Sequence, residues 1–461
     1  MTHKEILRLI CELSHAGNTR DFARLVEKAH PSDTAEALAE LPVSTTLTLL
    51  KQLRDEVAAE LFGYFPESLQ TQIFHALPPV EAARLFEHLP SDERADFYAL
   101  LPPQDQQSLL AALSEDVRRD LIRLSAFSEE STGSVATSEY ISVLPETRVA
   151  AALKTVRAVA GRCESIYVVY VLDREQRLLG AASLRDLLLA DDGELMENVM
   201  RRHPVCARAS WPRERAAEMI RRYDLLALPV TDEHNRMLGV ITVDDAMDVE
   251  KEQDASQLAR FGGTATAGDA ELDLLKSPLF SMFKVRAFWL IFLTVFGVVT
   301  SNFVAAQEEI LSRVIVLAAF IAPIVDMGGN TGSQSATLVI RAMAVGDVTL
   351  GMTDLWRVLR RELPVACALG LTVALLEGSL AWVSKGVDAP VLLTVGLSMF
   401  VCTASGGVIG LALPFLARRM GTDPATLSSP LITSVMDLLG VFIYFGFAYL
   451  FLGDALAAAL Q

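Results

Sequence analysis

Three carboxylates stand where carboxylates are expensive. Asp326, Glu377 and Asp437 lie inside stretches apolar for the length of a membrane-spanning helix. The stretch around Asp437, from Ser429 to Leu450, reads SPLITSVMDLLGVFIYFGFAYL and holds no other charged residue. An α-helix rises about 1.5 Å per residue, so it crosses a hydrocarbon core of about 30 Å. A charged acid at that depth is costly unless it faces a partner, a cavity or an ion. No Lys or Arg lies deep enough in these stretches to neutralise the acids. Acids without basic partners in a bilayer are either protonated or open to a cation. An anion path, which needs basic or N–H ligands, is disfavoured. The chemistry indicated is cation binding, with Asp437 as the principal acid.

The second apolar stretch adds neutral oxygens. Its middle reads Asp326-Met-Gly-Gly-Asn-Thr-Gly-Ser-Gln-Ser335, with Asn330 and Gln334 one turn apart. Three glycines suit a close helix contact, but that explains the Asn and Gln less well. Unwound or tightly packed backbone at this depth is tolerated only within protein or beside water. Asn330, Gln334 and Asp326 are therefore expected to support the cation path, Asp326 either as a second cation site or as a protonated acid bonded to a neighbouring helix.

The elements positioning these groups are five spans, near 286–306, 315–343, 363–384, 389–416 and 430–452. The even connections carry Arg341, Arg357, Arg360, Arg361, Arg418 and Arg419, against Arg313 and Lys385 on the odd ones. By the positive-inside rule, the N-terminal half and the even loops face the cytoplasm and the C-terminus lies outside.

The N-terminal half is different. The formal net charge is −17, and residues 277–461 carry 10 basic against 11 acidic side chains, so nearly all the excess lies before Ser277. That repels nucleic acid and suits cations. Five cysteines without a CxxC spacing indicate neither a disulfide framework nor a zinc site. No histidine follows residue 234, and no nucleophile–base arrangement points to an enzyme.

Residues 32–126 repeat. Leu41-Pro, Phe65-Pro, Leu77-Pro, Leu89-Pro and Leu101-Pro fall on a twelve-residue grid, with Leu53 and Leu113 in the same phase. Proline is favoured in a helix's first turn, so the segment is expected to be short helices stacked as a small superhelix. Asp92 and Asp96 share one helix face, and a solvated surface is the ordinary explanation for such a pair. Residues 135–250 hold two units of one plan: helix, apolar strand, polar turn, strand, capped helix. Their marks are Ser183-Leu-Arg-Asp186 and Thr242-Val-Asp-Asp245, where Ser or Thr caps a helix and the Asp sits in its first turn. This resembles a tandem pair of CBS domains. Residues 246–276 read as a charged connecting helix and linker, ending near Gly262-Gly263.

In this order of parts, with GGNTGSQSATLVIRA and TDPATLSSPLITSVMDLLGVFIYF in the membrane half, the chain resembles the MgtE family of magnesium channels or transporters over roughly residues 30–450. The expected fold class is a multidomain membrane protein: an all-α superhelical N-domain (1–130), α/β CBS domains (131–198 and 199–250), a connecting or plug helix with linker (246–276) and a five-helix pore domain (277–461). The resemblance implies a homodimer in the bilayer of a bacterial cytoplasmic membrane, with Mg²⁺ both transported and regulatory. Asp437 matches the family's pore acid, with Thr433 and Ser429 earlier on its helix face. Regulatory acids carry over onto Asp92, Asp96, Glu214, Asp224, Asp245 and Asp248. The first two would cluster with Asp245 between the N-domain and the CBS unit, and the others would couple the CBS unit to the connecting helix. Mg²⁺ bridging them would favour a closed state.

There are departures. Lys251, Gln253, Ser256 and Gln257 stand where the family is acid-rich, with Glu250, Glu252 and Asp254 able to compensate in shifted register. Some members bind ATP between aromatic residues of the CBS pair. Val168 and Leu225 fall at those positions, although Arg185 and Asp186 remain. Mn²⁺ or Co²⁺ would suit the same oxygens. The alternatives are a Na⁺- or H⁺-coupled divalent carrier or exporter of the same fold and a membrane-bound CBS sensor.

Overall fold

The computed structural model describes residues 3–16, 18–161, 163, 165–264, 272, 274, 277–348, 351–421 and 429–458. Residues 422–428 of the second membrane motif and most of the linker at 265–276 lie outside them. The chain divides into two compact units, Met1–Lys251 and Glu252–Gln461.

The first unit begins with helices α1 (His3–Ala16), α2 (Thr19–Lys28) and α3 (Pro31–Ala39). The twelve-residue grid then appears directly as helix starts, in α4 (Val43–Leu50), α5 (Asp55–Gly63), α6 (Glu67–Ala76), α7 (Pro79–Glu87), α8 (Ser91–Leu100), α9 (Pro103–Ala112) and α10 (Glu115–Leu124). The grid proline sits one residue earlier than the first-turn expectation: Pro42, Pro66, Pro78, Pro90 and Pro102 are N-caps with ψ between 139° and 151°. Its fixed φ suits an extended cap residue, and it has no N–H to leave unpaired. The leucine or phenylalanine before the cap packs inward, with Phe65, Leu89, Leu101 and Leu113 buried. Helices of 8–10 residues are marginal alone and need the stack. Phe97 anchors it, 5.3 Å from Phe62, 5.4 Å from Phe74 and 6.2 Å from Phe86 between ring centroids.

The paired α/β units follow. The first holds β1 (Ile141–Val143), α11 (Val149–Val159), β2 (Val168–Leu172), β3 (Leu178–Ser183), α12 (Leu184–Leu189), α13 (Met196–Val199) and β4 (Arg201–Arg202), with sheet order β1-β2-β3-β4. The second holds β5 (Ala207–Arg208), α14 (Arg213–Tyr223), β6 (Ala227–Thr231), β7 (Met237–Thr242) and α15 (Val243–Phe261), with order β5-β6-β7. β2–β3 and β6–β7 are antiparallel pairs, while β1 and β5 run parallel to their neighbours. The short β1, β4 and β5 escaped the sequence reading, because two or three residues carry no periodicity. Ser91 Oγ lies 3.0 Å from Thr137 Oγ1 and accepts the Ser138 N–H at 2.7 Å. Arg94, almost fully buried, pairs with Glu139 at 2.9 Å. These contacts join α8 to the chain entering the sheets.

The second unit contains α16 (Leu279–Ala305), the short α17 (Glu308–Arg313), a 3₁₀ turn at Ile315–Leu317, α18 (Ala318–Ala344), α19 (Met352–Lys385), α20 (Ala389–Arg419) and α21 (Ser429–Ala458). Among the described residues, five helices are long and apolar enough to cross a membrane, as expected. The third starts at Met352 rather than 363. α18 packs against α20 and α21, α19 against α20, and α16 against α21. Of the two possibilities for residues 326–335, tight packing holds and unwinding does not: α18 is helical throughout. A Cβ on Gly406 would strike the Gly328 backbone, and one on Gly410 the Gly332 backbone, so these glycines let α18 and α20 meet main chain to main chain.

Candidate functional site

Two groups of polar residues stand out, one in each unit. In the membrane unit, Asp326, Asn330 and Gln334 are all exposed on one face of α18 at i, i+4 and i+8. An Asp-Asn-Gln stripe cannot face hydrocarbon at tolerable cost, so this face requires water or protein against it. Beside it runs α21 with Ser429, Thr433 and Asp437, each half-buried and one turn from the next. The hydroxyl of Ser429 donates to Ser333 at 2.9 Å. A Cβ on Gly329 would sit 3.1 Å from Thr433 Cγ2, and one on Gly440 would sit 3.3 Å from the Val325 Cα. The helices are therefore antiparallel and in close contact along these residues. Asn330 Nδ2 donates to Asp326 Oδ2 at 3.0 Å, and Thr433 returns its hydroxyl to the Ser429 carbonyl at 3.1 Å.

Glu377 is half-buried on α19, which packs against α20. A second acid on that helix was missed. The Ser335 hydroxyl, almost fully buried, donates to Glu362 at 2.5 Å. The sequence Arg360-Arg361-Glu362 reads as a polar loop, and only the earlier start of α19 brings this carboxylate to the α18 motif.

In the N-terminal unit, Asp92 and Asp96 do not form a solvated pair. Asp96 is exposed, but Asp92 is only 8% exposed and its Oδ1 has no hydrogen-bond partner. Burial pushes the Asp92 carboxyl up to about 6, with the charges of Asp96 and Glu139 adding to the effect. Glu93, unremarked in the sequence, has a buried Oε2 without a partner. Burial, then the charges of Asp92, Asp245, Asp96 and Glu60, raise its carboxyl to about 8. Asp245, in the first turn of α15, is pushed to about 7 by burial and by Asp92, although it accepts from Thr242 Oγ1 at 2.6 Å. Asp92 thus feels the charge of Asp96, and Asp245 feels that of Asp92. The signal for Glu93 was its place beside Asp92 in a short helix start. What buries it is Gly63 on α5, whose missing side chain leaves the space its carboxylate fills.

Glu214 opens α14 beside Arg213, 4.0 Å away. Asp224 closes that helix in the left-handed conformation, φ 51°, and Asp248 is exposed on α15. Glu250 is engaged by Arg221 at 3.0 Å. Among the described residues, no three His, Cys, Asp or Glu side chains converge to hold a metal ion directly. Asp186 is occupied as a helix cap: its Oδ2 accepts from the Ser183 N–H at 3.1 Å and hydroxyl at 2.7 Å, and burial does not outweigh that bonding, so its carboxyl is lowered.

Three family descriptions match: an MgtE intracellular N domain over residues 29–130, CBS domains over 133–193 and 196–252, and the MgtE divalent cation transporter domain over 321–447. The chain is 36% identical over 330 residues to the magnesium transporter MgtE of Thermus thermophilus, covering 71% of this chain and 72% of the relative. It is 28% identical over 455 residues to the magnesium transporter MgtE of Bacillus subtilis, covering 98% of each. A crystal structure of the soluble part of a magnesium transporter matches with a TM-score of 0.53 and 27% identity, over 54% of this chain and 99% of that one.

Proposed function

The chain belongs to the MgtE family of magnesium transporters, and as a multi-pass membrane protein of that family we propose that it is a gated Mg²⁺ channel, conducting the ion inward as a homodimer. The observation that carries this reading is the uncovered Asp326–Asn330–Gln334 stripe beside Asp437. Such a face needs an aqueous path along α18 and α21, and a second protomer would close it from the other side. Mg²⁺ sheds water reluctantly and keeps an octahedral shell. Its bound waters present hydrogens outward, so a path for the hydrated ion needs acceptors, and a carboxylate is the strongest available. Asp437 of each protomer supplies the charge, with Thr433 and Ser429 lining its approach.

The soluble unit senses the cytoplasmic ion. Asp92, Glu93 and Asp245 repel one another when ionised, and Asp92 and Glu93 keep oxygens without partners. A hydrated divalent cation among them relieves that repulsion and holds α8 to α15, and Asp96 adds charge at the rim. Glu214, Asp224 and Asp248 form the second contact set, toward the connecting helix. By linkage, the ion stabilises whichever arrangement brings the acids together.

The test is Mg²⁺ uptake into proteoliposomes. Asp437→Ala is expected to abolish selective flux, and retained selective flux removes Asp437 from this role. Under voltage clamp with ion substitution, current without any coupled species marks a channel, whereas an obligatory Na⁺ or H⁺ dependence marks the carrier.

A further inference from the structure

We propose that Asp326 is a second selectivity-determining acid of the ion path, acting both through its own charge and by fixing the carbonyl of Asn330. The inference rests on the ion path proposed above and adds a residue to it. Contacts between α18 and α21 pair Ser333 with Ser429, Gly329 with Thr433, and Val325 with Gly440. Asp326 falls between the last two levels on α18, and Asp437 falls between the same two levels on α21. The carboxylates therefore share one height in the membrane. Each protomer thus offers two acids at one level where a lone Asp437 would offer one.

Asn330 makes the second contribution. A carboxylate only accepts hydrogen bonds, so the Asn330 side chain must turn its NH₂ toward Asp326 Oδ2, 3.0 Å away. That leaves Asn330 Oδ1 as an acceptor on the exposed stripe. A hydrated dication needs acceptors for its outward-pointing hydrogens. Without Asp326, the amide is free to rotate and present its donor face, which repels such an ion. The two effects have one sign: each favours a divalent hydrated cation over a monovalent one, because the attraction scales with the ion's charge.

The experiment compares Asp326→Asn, Asp326→Glu and Asp437→Asn in proteoliposomes, reading half-saturating Mg²⁺ and the Mg²⁺/Na⁺ flux ratio. Asp326→Asn is expected to raise half-saturating Mg²⁺ about tenfold and lower the ratio by a similar factor, with Asp326→Glu restoring most of both. Wild-type values in Asp326→Asn, or equal loss in the Asn and Glu variants, overturn the inference. Asp437→Asn separates the two readings. If it loses Mg²⁺ flux while Asp326→Asn matches wild type, only the role of Asp326 falls. If Asp437→Asn conducts normally, the ion path itself is misassigned.

Discussion

The carboxylate of Glu93 occupies the volume that a side chain on Gly63 would take. α5 and α8 are three rungs apart in the helical stack, and the glycine closing α5 makes the pocket that holds this acid away from water. Gly63→Ala should expel the Glu93 carboxylate. The displaced atoms are the end of a flexible side chain, so the stability loss should be small, about 1 kcal/mol. A circular-dichroism melt measures that cost, and a loss of several kcal/mol would mean that Glu93 has nowhere else to go.

The buried acids set a pH dependence of definite sign. In the folded chain Asp92, Glu93 and Asp245 titrate near 6, 8 and 7, all above ordinary carboxylates. For groups raised in this way, the protonated form fits the fold, so their contribution is full below about pH 4 and is lost as pH rises to about 8. In chelator, the soluble unit should therefore melt higher at pH 6 than at pH 8.5, by a few degrees. Mg²⁺ at pH 8.5 should recover the difference. Glu93→Gln should flatten the profile above pH 7, and a profile unchanged by that substitution would contradict the assignment.

Arg94 and Glu139 form a largely buried pair between α8 and the strand-bearing half of the unit. Removing the arginine leaves an acid whose carboxyl is already raised by burial and eased down by Arg94. Arg94→Ala should cost about 2 kcal/mol, below the full cost of a completely buried pair because Glu139 keeps some solvent. Glu139→Gln should cost less. Chemical denaturation of the two variants gives the comparison, and equal losses would show that packing, not charge, dominates.

In the membrane unit, the glycines of α20 divide into two kinds. A methyl on Gly410 meets the Gly332 main chain, which cannot yield, whereas one on Gly396 meets nothing within 4 Å. Gly410→Ala should cost about 3 kcal/mol by forcing α18 and α20 apart. Gly396→Ala should be neutral or slightly stabilising. Unfolding of the detergent-solubilised protein distinguishes them.

Much of this was legible in the residues, for reasons that differ by element. The stacked helices announced themselves because a proline cap imposes a fixed phase, and the spans because hydrocarbon tolerates so few residue types. The polar stripe could be read from Asp326, Asn330 and Gln334, since a spacing of four places them on one face. Burial of Asp92 and Glu93 could not be read. It depends on an absent side chain at Gly63, distant in sequence, and on α15 arriving beside α8. Glu362 was missed for a related reason: a helix that continues past its apolar stretch leaves no mark in hydropathy. The two-residue strands β4 and β5 exist only through their partners.

The even spacing of helix starts, from Val43 to Glu115, carries a consequence for how this N-terminal arm can change. Each rung is built alike and packs chiefly on the rung two along, as α5 does on α7 and α7 on α9, so the stack behaves as a ladder whose length is counted in whole rungs. Adding or deleting twelve residues would shift one end along the ladder while leaving every surviving joint intact. Adding six would leave one rung of the wrong length between its proline caps. The distance between the acids of α8 and whatever the far end meets is thus adjustable only in discrete steps, which makes the arm a ruler as much as a sensor.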